Sequence, residues 1–385
     1  MKRLRIFILI FCMLFPVTVH AATTEEQTTE TYSAEDIQKD LLEEFQFSDI
    51  DGMIDDIFPR GKWTFTELVE GLISGDVDLT FDLLKEFVTD QFFYELDTSR
   101  SGLIHILLLV IIAAVFSNFS KMFKSTQVSE ISFFMLYMML ITITLTNFRI
   151  LAEAVTANLG RLLEFMKLLG PIYFLAVGIS TGSSTSITFY QVVLLLIFLV
   201  EMLILNFLVP LAQLYLIMRI LGEMSPELPL TKFSELLETI ISWSLKTLMA
   251  GIIGLNLIQG LISPAIDTVK RSFLTKTGEA LPIVGDVIGG TTEIVLGTAV
   301  LIKNGIGVAG MVLCFVICLA PLLQMAITTL LYQLVAALIQ PISDKRMVNC
   351  VSSMADSSKV LLKILSTTMV LFLLTIAVVS STTGG

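Results

Sequence analysis

Charged residues and histidines are scarce in this chain, and each scarcity excludes a class of protein. Only 15% of the 385 residues are charged, while 55% are hydrophobic; soluble domains carry about 25% charged residues. So much apolar surface cannot be buried in one core of this size, which indicates an integral membrane protein. Of the two histidines, His20 lies in a predicted leader, so His105 is the one left in the mature chain.

Cysteines and nucleotide-binding motifs are also too few for most metal, disulfide or ATP-driven chemistry. Three cysteines follow the leader, none in a C-x-x-C pair, and Cys314 and Cys318 share one apolar helix face, as small packing residues do. No G-x-x-x-x-G-K-[ST] sequence occurs, so the chain does not hydrolyse nucleotides by itself. We predict no cofactor, no metal and no nucleic-acid partner, since no basic stripe is present.

One catalytic motif occurs in an unsuitable context. Residues 178–182, Gly-Ile-Ser-Thr-Gly, match the nucleophile elbow, which requires a strand before it, a helix after it and a later histidine. An apolar helix is predicted before this motif and no histidine follows it. We interpret the motif as a polar loop between spans, predict that the chain is not an enzyme, and expect Ser180→Ala and His105→Ala to be tolerated.

The charge is concentrated near the N-terminus. Residues 1–21 carry three basic residues and no acidic one, then an apolar run and small residues, which predicts a signal peptide cleaved after Ala21. A retained anchor is the alternative. Residues 22–100 hold 21 acidic against five basic residues. We therefore predict an acidic extracytoplasmic helical domain over 22–100 and a polytopic membrane domain over 101–385.

Short amphipathic helices are predicted in the acidic domain. Thr64 and Glu67 have the spacing of a capping box, in which each side chain bonds to the backbone N–H of the other residue. An acidic variant of the same box begins a first helix near residue 33, and a third helix is predicted over 78–96. Residues 49–52, Asp-Ile-Asp-Gly, lack the ligand spacing of a calcium loop and are interpreted as a turn.

Long apolar runs predict an all-α membrane domain with about six to eight spans, since about 20 apolar residues cross the hydrocarbon core. Residues 187–221 form an unbroken stretch of 35 residues, which we interpret as one long helix kinked at Pro210. Residues 305–341 are long enough for two spans with a turn near Pro321. The other apolar runs are 101–119, 131–148, the shorter 168–179, 245–262 and 360–379.

The basic residues support an extracytoplasmic N-terminus. With that orientation, the cytoplasmic side receives Lys121, Lys124, Lys345 and Arg346, as the positive-inside rule expects. Four basic residues count against it, namely Arg149, Arg161, Lys167 and Arg219. Residues 150–167 alternate apolar and charged positions, which predicts an interfacial amphipathic helix, with a gate or docking helix as the alternative.

A single acidic residue lies inside one of the apolar runs. Glu201 lies within residues 194–208, where a charge at a helix centre costs at least about 2.5–3.5 kcal/mol. Such residues usually face a partner or a wet cavity. Glu201 is therefore predicted to belong to a pathway or subunit contact, and an incidental pair with a neighbouring helix is the alternative.

Residues 281–310 are unusually rich in glycine, with seven in this stretch. Glycines at this density either break helices at the membrane midplane, as in transporters, or let helices pack closely. The residues alone leave both interpretations open. The candidate pathway or subunit-contact residues in this stretch are Glu293, Lys303, Asn304, Gly305 and Gly307.

Three motifs of the membrane domain point to one known family. They are Leu-Pro-Ile-Val-Gly at 281–285, a run from Glu293 through Gly297 to Lys303-Asn304-Gly305-x-Gly307, and Gln-Pro-Ile-Ser-Asp at 340–344. Together with the leader and the acidic segment, they resemble the stage III sporulation protein AE family of endospore-forming bacteria. The likeness extends over nearly the whole mature chain.

The resemblance implies a place and a set of partners. It implies a multi-pass protein in the mother-cell-derived membrane around the forespore, with the acidic segment facing the intermembrane space. It implies work beside a secretion-type ATPase and ring-forming proteins, in a channel or secretion-like complex that supports forespore development. The family offers no catalytic residues to carry over.

The residues themselves leave other functions open. An autonomous secondary transporter could use the same residues to bind a solute or ion, and an inverted repeat would favour it, although none is visible in the sequence. A pure scaffold is a further alternative, because most of the polar features have a packing explanation.

Overall fold

The computed structural model describes most of the chain, and the regular elements in that part are helices. The described residues are 45–57, 64–74, 126–181, 183–224, 230–278 and 285–382, with isolated positions between residues 39 and 111. For 258–278 and 285–296, the backbone alone is described. The predicted signal peptide, the first and third helices of the acidic domain and nearly all of the span 101–119 lie outside these residues.

Two short helices come from the acidic domain and six longer ones from the membrane domain, with one π-helical segment among the latter. Their bounds are α1 Ser48–Ile57, α2 Phe65–Ser74, α3 Thr126–Thr181, α4 Ser183–Leu199, the π segment Val200–Leu208, α5 Val209–Met224, α6 Thr231–Gly278, α7 Gly285–Ile339 and α8 Lys345–Thr382. The predicted all-α fold class is confirmed.

Helix α2 begins at the capping box that the sequence predicts. The Thr64 N–H donates to Glu67 Oε2 at 3.1 Å, and the Glu67 N–H donates to Thr64 Oγ1 at 3.1 Å. Each bond satisfies an N–H at the helix start that has no partner within the helix. The prediction of a helix opened by Thr64 and Glu67 is confirmed.

The predicted turn at residues 49–52 is wrong, because these residues lie within α1. Asp51 instead caps the neighbouring helix. Its carboxylate accepts the Phe65 N–H at 2.6 Å and the Thr66 hydroxyl at 3.0 Å. The aspartates that suggested a turn are on the polar face of a helix whose other face buries Ile50 and Ile54.

Asp51→Ala should loosen the packing of α1 against α2. It removes two hydrogen bonds at the start of α2, and losing an N-terminal cap costs about 0.5–2 kcal/mol. We expect faster cleavage of the acidic domain by an added protease, measured on membranes with the domain accessible. Asp55→Ala is the matched control, since Asp55 is exposed on the same helix. Equal cleavage rates for the two variants would contradict the capping role.

Five helical stretches of the described residues are long and apolar enough to cross a membrane. The stretch 190–223 continues through Pro210 without a break, which confirms the predicted single long helix. Together with the predicted span over 101–119, these stretches would give six spans, which is the lower end of the predicted range of six to eight. The five stretches are Phe133–Ser180, Tyr190–Glu223, Thr231–Leu255, Gly297–Ile339 and Lys345–Val378.

Two predicted features of the membrane domain are wrong. Residues 150–167, predicted as a separate interfacial helix, are the middle of α3, where Leu151 and Val155 are buried. Helix α7 continues through Pro321 to Ile339, so residues 305–339 form one continuous helix without the predicted turn near Pro321. A proline removes one intrahelical bond, and membrane helices tolerate this where neighbouring helices cover the freed backbone.

One end of the bundle gathers the starts of α3 and α8 and the ends of α5 and α7. Asn147 Nδ2 of α3 donates to Tyr332 Oη of α7 at 3.0 Å. Asn349 Nδ2 of α8 donates to Glu223 Oε2 of α5 at 2.7 Å. Helices α3 and α8 therefore run away from this end, which also holds Lys345, while α5 and α7 run towards it.

The acidic helices pack near the opposite end. A Cβ on Gly305 of α7 would lie 2.8 Å from Ile73 Cγ1, so α2 packs directly on α7. Helix α1 lies beside residues 161–168 of α3. Its ten residues include four aspartates, which do not enter hydrocarbon without partners. The bundle thus has an acidic-domain end and an opposite, Lys345 end.

Candidate functional site

Glu201 and Lys167 form an ion pair between two candidate spans. Glu201 lies in the π segment and Lys167 on α3, with Oε2 and Nζ 3.7 Å apart. Their side chains are 55% and 53% exposed, and Phe198 and Met202 beside them are 57% and 60% exposed. With Leu194, these residues form an outer surface that is apolar apart from the ion pair, called here the Lys167–Glu201 face.

A proline follows each partner of the pair and perturbs its helix. Pro171 cannot donate a hydrogen bond to the Lys167 carbonyl four residues earlier. Pro210 is the second residue after the π segment, at whose end the Val209 N–H bonds to the Ile204 carbonyl, five residues back. Such wide turns within α-helices are frequent at functional sites. The π segment on one helix and the bond missing at Pro171 on the other therefore both lie close to the pair.

The pair lies close to the acidic domain. A cavity of about 500 Å³ lies between α1 and α3, and the charged residues among those that line it are Asp49, Asp56, Glu164 and Arg161, three acidic and one basic. Arg161 precedes Lys167 by six residues, about 9 Å along an α-helix. Glu201 therefore lies on the acidic-domain side of the bundle, away from the Lys345 end.

The glycines of the 281–310 stretch allow other helices to approach α7 closely. Gly305 lies against α2, as described above. A Cβ on Gly307 would lie 2.7 Å from Tyr173 Oη, and one on Gly310 would lie 2.8 Å from Leu169 Cδ2, both on α3. All three contacts are within the chain, and α7 is continuous here. This geometry favours tight helix packing over a broken helix.

The polar residues of the same stretch have different surroundings. Lys303 is completely buried in α7. Asn304 Oδ1 is buried and has no hydrogen-bond partner among the described residues. Glu293 belongs to the helical backbone of α7, and its side chain is outside the described part. Because Lys303 is fully buried within the chain, it is better placed for a contact inside the protein than for a contact with another subunit.

Glu201 and the glycines of the 281–310 stretch do not line one common surface, because α3 lies between them. Lys167 of α3 pairs with Glu201, whereas Leu169, two residues later, contacts Gly310. Two residues are about 200° apart around an α-helix, so these contacts are on opposite sides of α3. The predicted residues thus divide into an outer pair and an inner glycine-rich contact.

A polar network between α5, α6 and α8 was not predicted from the sequence. Arg219 of α5 donates to Asp356 Oδ2 of α8 at 2.9 Å and to Tyr215 Oη at 3.0 Å. Tyr215 Oη donates in turn to Glu238 Oε2 of α6 at 3.3 Å. One signal was available, because Tyr215, Arg219 and Glu223 are four residues apart and share one face of α5.

The nucleophile-elbow motif does not have the geometry of an elbow. Ser180 is buried in α3, and its hydroxyl donates to the Val177 carbonyl at 3.2 Å. The predicted polar loop is also wrong, because α3 extends to Thr181 and α4 begins at Ser183. Among the described residues, no group of three or more His, Cys, Asp or Glu side chains is placed to hold a metal ion.

Comparison with known proteins identifies the family. A sequence model of stage III sporulation protein AE matches residues 63–383. The chain belongs to this family. A stage III sporulation protein AE of Bacillus subtilis (strain 168) is 24% identical over 362 residues, which cover 94% of this chain and 89% of that protein. No solved structure matches the chain.

The match to the stage III sporulation protein AE family includes the candidate site. Residues 63–383 contain α2 and all five candidate spans, and therefore Lys167, Glu201 and the 303–310 contact. Helix α1, which supplies Asp51 and one wall of the acidic cavity, precedes the matched residues. A role in sporulation and a location in a membrane follow from the family and from the helices.

Proposed function

We propose that this chain is a non-enzymatic membrane subunit of a channel or secretion-like complex that links mother cell and forespore and is needed for forespore development. Membership of a sporulation family and five candidate spans support the proposal. Its partners would be a secretion-type ATPase and ring-forming membrane proteins. The chain would reside in the mother-cell-derived membrane around the forespore.

The Lys167–Glu201 face is the observation that carries an assembly role. A charged pair that is half exposed on an otherwise apolar surface is poorly placed against lipid, because hydrocarbon offers it no hydrogen bonds. A neighbouring subunit could bury the apolar side chains and satisfy the charges together. The face therefore suits a chain that works inside a larger membrane complex.

The acidic domain suits contacts in the intermembrane space. Residues 22–100 carry 21 acidic against five basic residues, and α1 and α2 hold part of this charge beside the bundle. Such a domain attracts basic surfaces and repels acidic ones. Ring-forming partners on that side would meet the acidic helices at that end of the bundle.

Purification from sporulating cells tests the proposed assembly. We would solubilise tagged protein in mild detergent at the engulfment stage and identify by mass spectrometry what purifies with it. The expected result is enrichment of a secretion ATPase and ring-forming proteins over an untagged control. Recovery of the chain without these partners would contradict the proposal and favour an autonomous transporter, to be examined by flux into liposomes.

Glu201→Gln should leave membrane insertion intact and impair spore formation. The substitution keeps the size of the side chain and removes its charge, so the pair with Lys167 is lost. We expect at least tenfold fewer heat-resistant spores at an unchanged level of membrane protein. Glu235→Gln is the matched control, because Glu235 pairs with Lys232 on the exposed surface of one helix. Normal sporulation of a Glu201→Leu strain would rule out a role for the charge.

A further inference from the structure

The Lys167–Glu201 face leaves much hydrogen-bonding capacity unused. The carboxylate and ammonium approach through one contact of 3.7 Å, longer than a strong charged hydrogen bond. An ammonium has three donors and a carboxylate accepts several bonds. More than half of each side chain faces outward. A second charged surface could therefore bond to both groups without breaking the existing pair.

The surroundings of the pair favour a protein on this face. Glu201 lies in Tyr190–Glu223, which contains the most apolar segment of the five candidate spans. Leu194, Phe198 and Met202 project from the same surface. Aromatic residues and methionine are enriched at the centres of protein interfaces. The face thus combines apolar side chains that avoid water with a charged pair that avoids lipid.

The arrangement of the two charges is complementary to itself. A two-fold axis that lies in the plane of the contact, at right angles to the line joining the two charges, reverses the order of the charges on a second copy. Lys167 of one copy then lies opposite Glu201 of the other, and the same contact is made twice. The resulting four-charge cluster alternates in sign. An unrelated partner would need its own pair in the opposite order, whereas a copy of this chain always has it.

We infer that the Lys167–Glu201 face binds a second copy of this chain about a two-fold axis. The two intrachain pairs become one cluster of two ammonium and two carboxylate groups, surrounded by Leu194, Phe198 and Met202 of both copies. This contact specifies the partner at the face proposed above as an assembly surface. It requires neither the ATPase nor the ring proteins, so it is tested on the purified chain alone.

Charge reversal in two separately tagged copies tests the contact. Lys167→Glu gives one protein with two carboxylates on the face, and Glu201→Lys gives another with two ammonium groups. Each variant alone should form at least tenfold less dimer than the unmodified chain, measured by native mass spectrometry in mild detergent. Co-expression of the two variants should restore dimers that carry both tags. Within each variant the intrachain charges repel, so only contacts between copies explain the restoration.

Two further variants separate the contact from effects on folding. The double variant Lys167→Glu with Glu201→Lys should dimerise like the unmodified chain, and Glu235→Lys should have no effect. If charge reversal prevents insertion, Lys167→Gln with Glu201→Gln provides the neutral comparison and should lower the dimer fraction. An unmodified chain that is monomeric, or single variants that dimerise normally, would overturn the inference. So would recovery in the double variant without recovery in the mixture, because that result indicates an intrachain role.

Discussion

Gly307→Val is expected to remove most of the folded protein from the membrane. A Cβ at this position would lie 2.7 Å from Tyr173 Oη and 3.2 Å from Ser380 Oγ, and Tyr173 is almost completely buried. The Tyr173 hydroxyl is at the end of a buried ring, so it cannot retreat without moving α3 relative to α7. Overpacking of this kind costs about 1–3 kcal/mol or more, a large part of the stability of an ordinary domain.

Gly297→Val is the matched control for this prediction. Gly297 lies on the same helix and is exposed, and no described atom comes within 4 Å of an added Cβ. Both variants receive the same side chain, so intrinsic helix propensity cancels in the comparison. We would follow the fraction of monodisperse protein after heating in detergent, by size-exclusion chromatography. Equal loss for the two variants would show that the close approach of α3 and α8 to Gly307 does not matter.

Asp356→Ala is expected to cause the second large loss of stability. The carboxylate accepts a 2.9 Å bond from Arg219, and both side chains are about 30% exposed. Removing Asp356 leaves the guanidinium between α5 and α8 with a partner missing. Breaking a buried pair costs about 3–5 kcal/mol and a surface pair under about 1 kcal/mol. For this partly exposed pair we expect about 1–3 kcal/mol.

A surface pair and a neutral replacement distinguish the network from charge in general. Glu235→Ala removes the partner of Lys232 at 2.8 Å on the exposed surface of α6, and should cost less than about 1 kcal/mol. Replacing both Arg219 and Asp356 by leucine should recover part of the lost stability, because the guanidinium is removed together with its partner. Lys359, which also contacts Asp356 at 3.0 Å, is about half exposed and remains solvated. Thermal midpoints in detergent measure all three variants. A midpoint for Asp356→Ala equal to that of Glu235→Ala would contradict the prediction.

Local patterns predicted the features that depend on neighbouring residues. The Thr64–Glu67 box and the long helix through Pro210 depend on residues a few positions apart, and both are confirmed. The turn at 49–52 failed for a reason that is not local. Asp51 accepts hydrogen bonds from the start of α2, 14 and 15 residues further along, so residues 49–52 can belong to a helix.

Two predictions about the spans are wrong because they were based on a proline and on a short stretch that contains charged residues. Pro321 suggested a turn, and residues 150–167 suggested a surface helix. Both lie inside long helices, because α3, α7 and α8 pack along their length and cover the irregular positions. Packing between distant segments overrides a local preference when it buries many apolar side chains.

The sequence by itself determined the solvent and the class of this protein. Few charges, long apolar runs and one acidic segment are properties of composition, and they indicate a helical membrane protein with an acidic N-terminal segment. Tertiary structure alone decided which polar groups meet. Lys167 contacts Glu201, and Arg219 contacts Asp356, on helices that are separated in sequence. The close packing at Gly307 likewise depends on Tyr173, which lies on another helix. A pairing of this kind depends on how helices are placed against one another, and no periodicity within one helix encodes it.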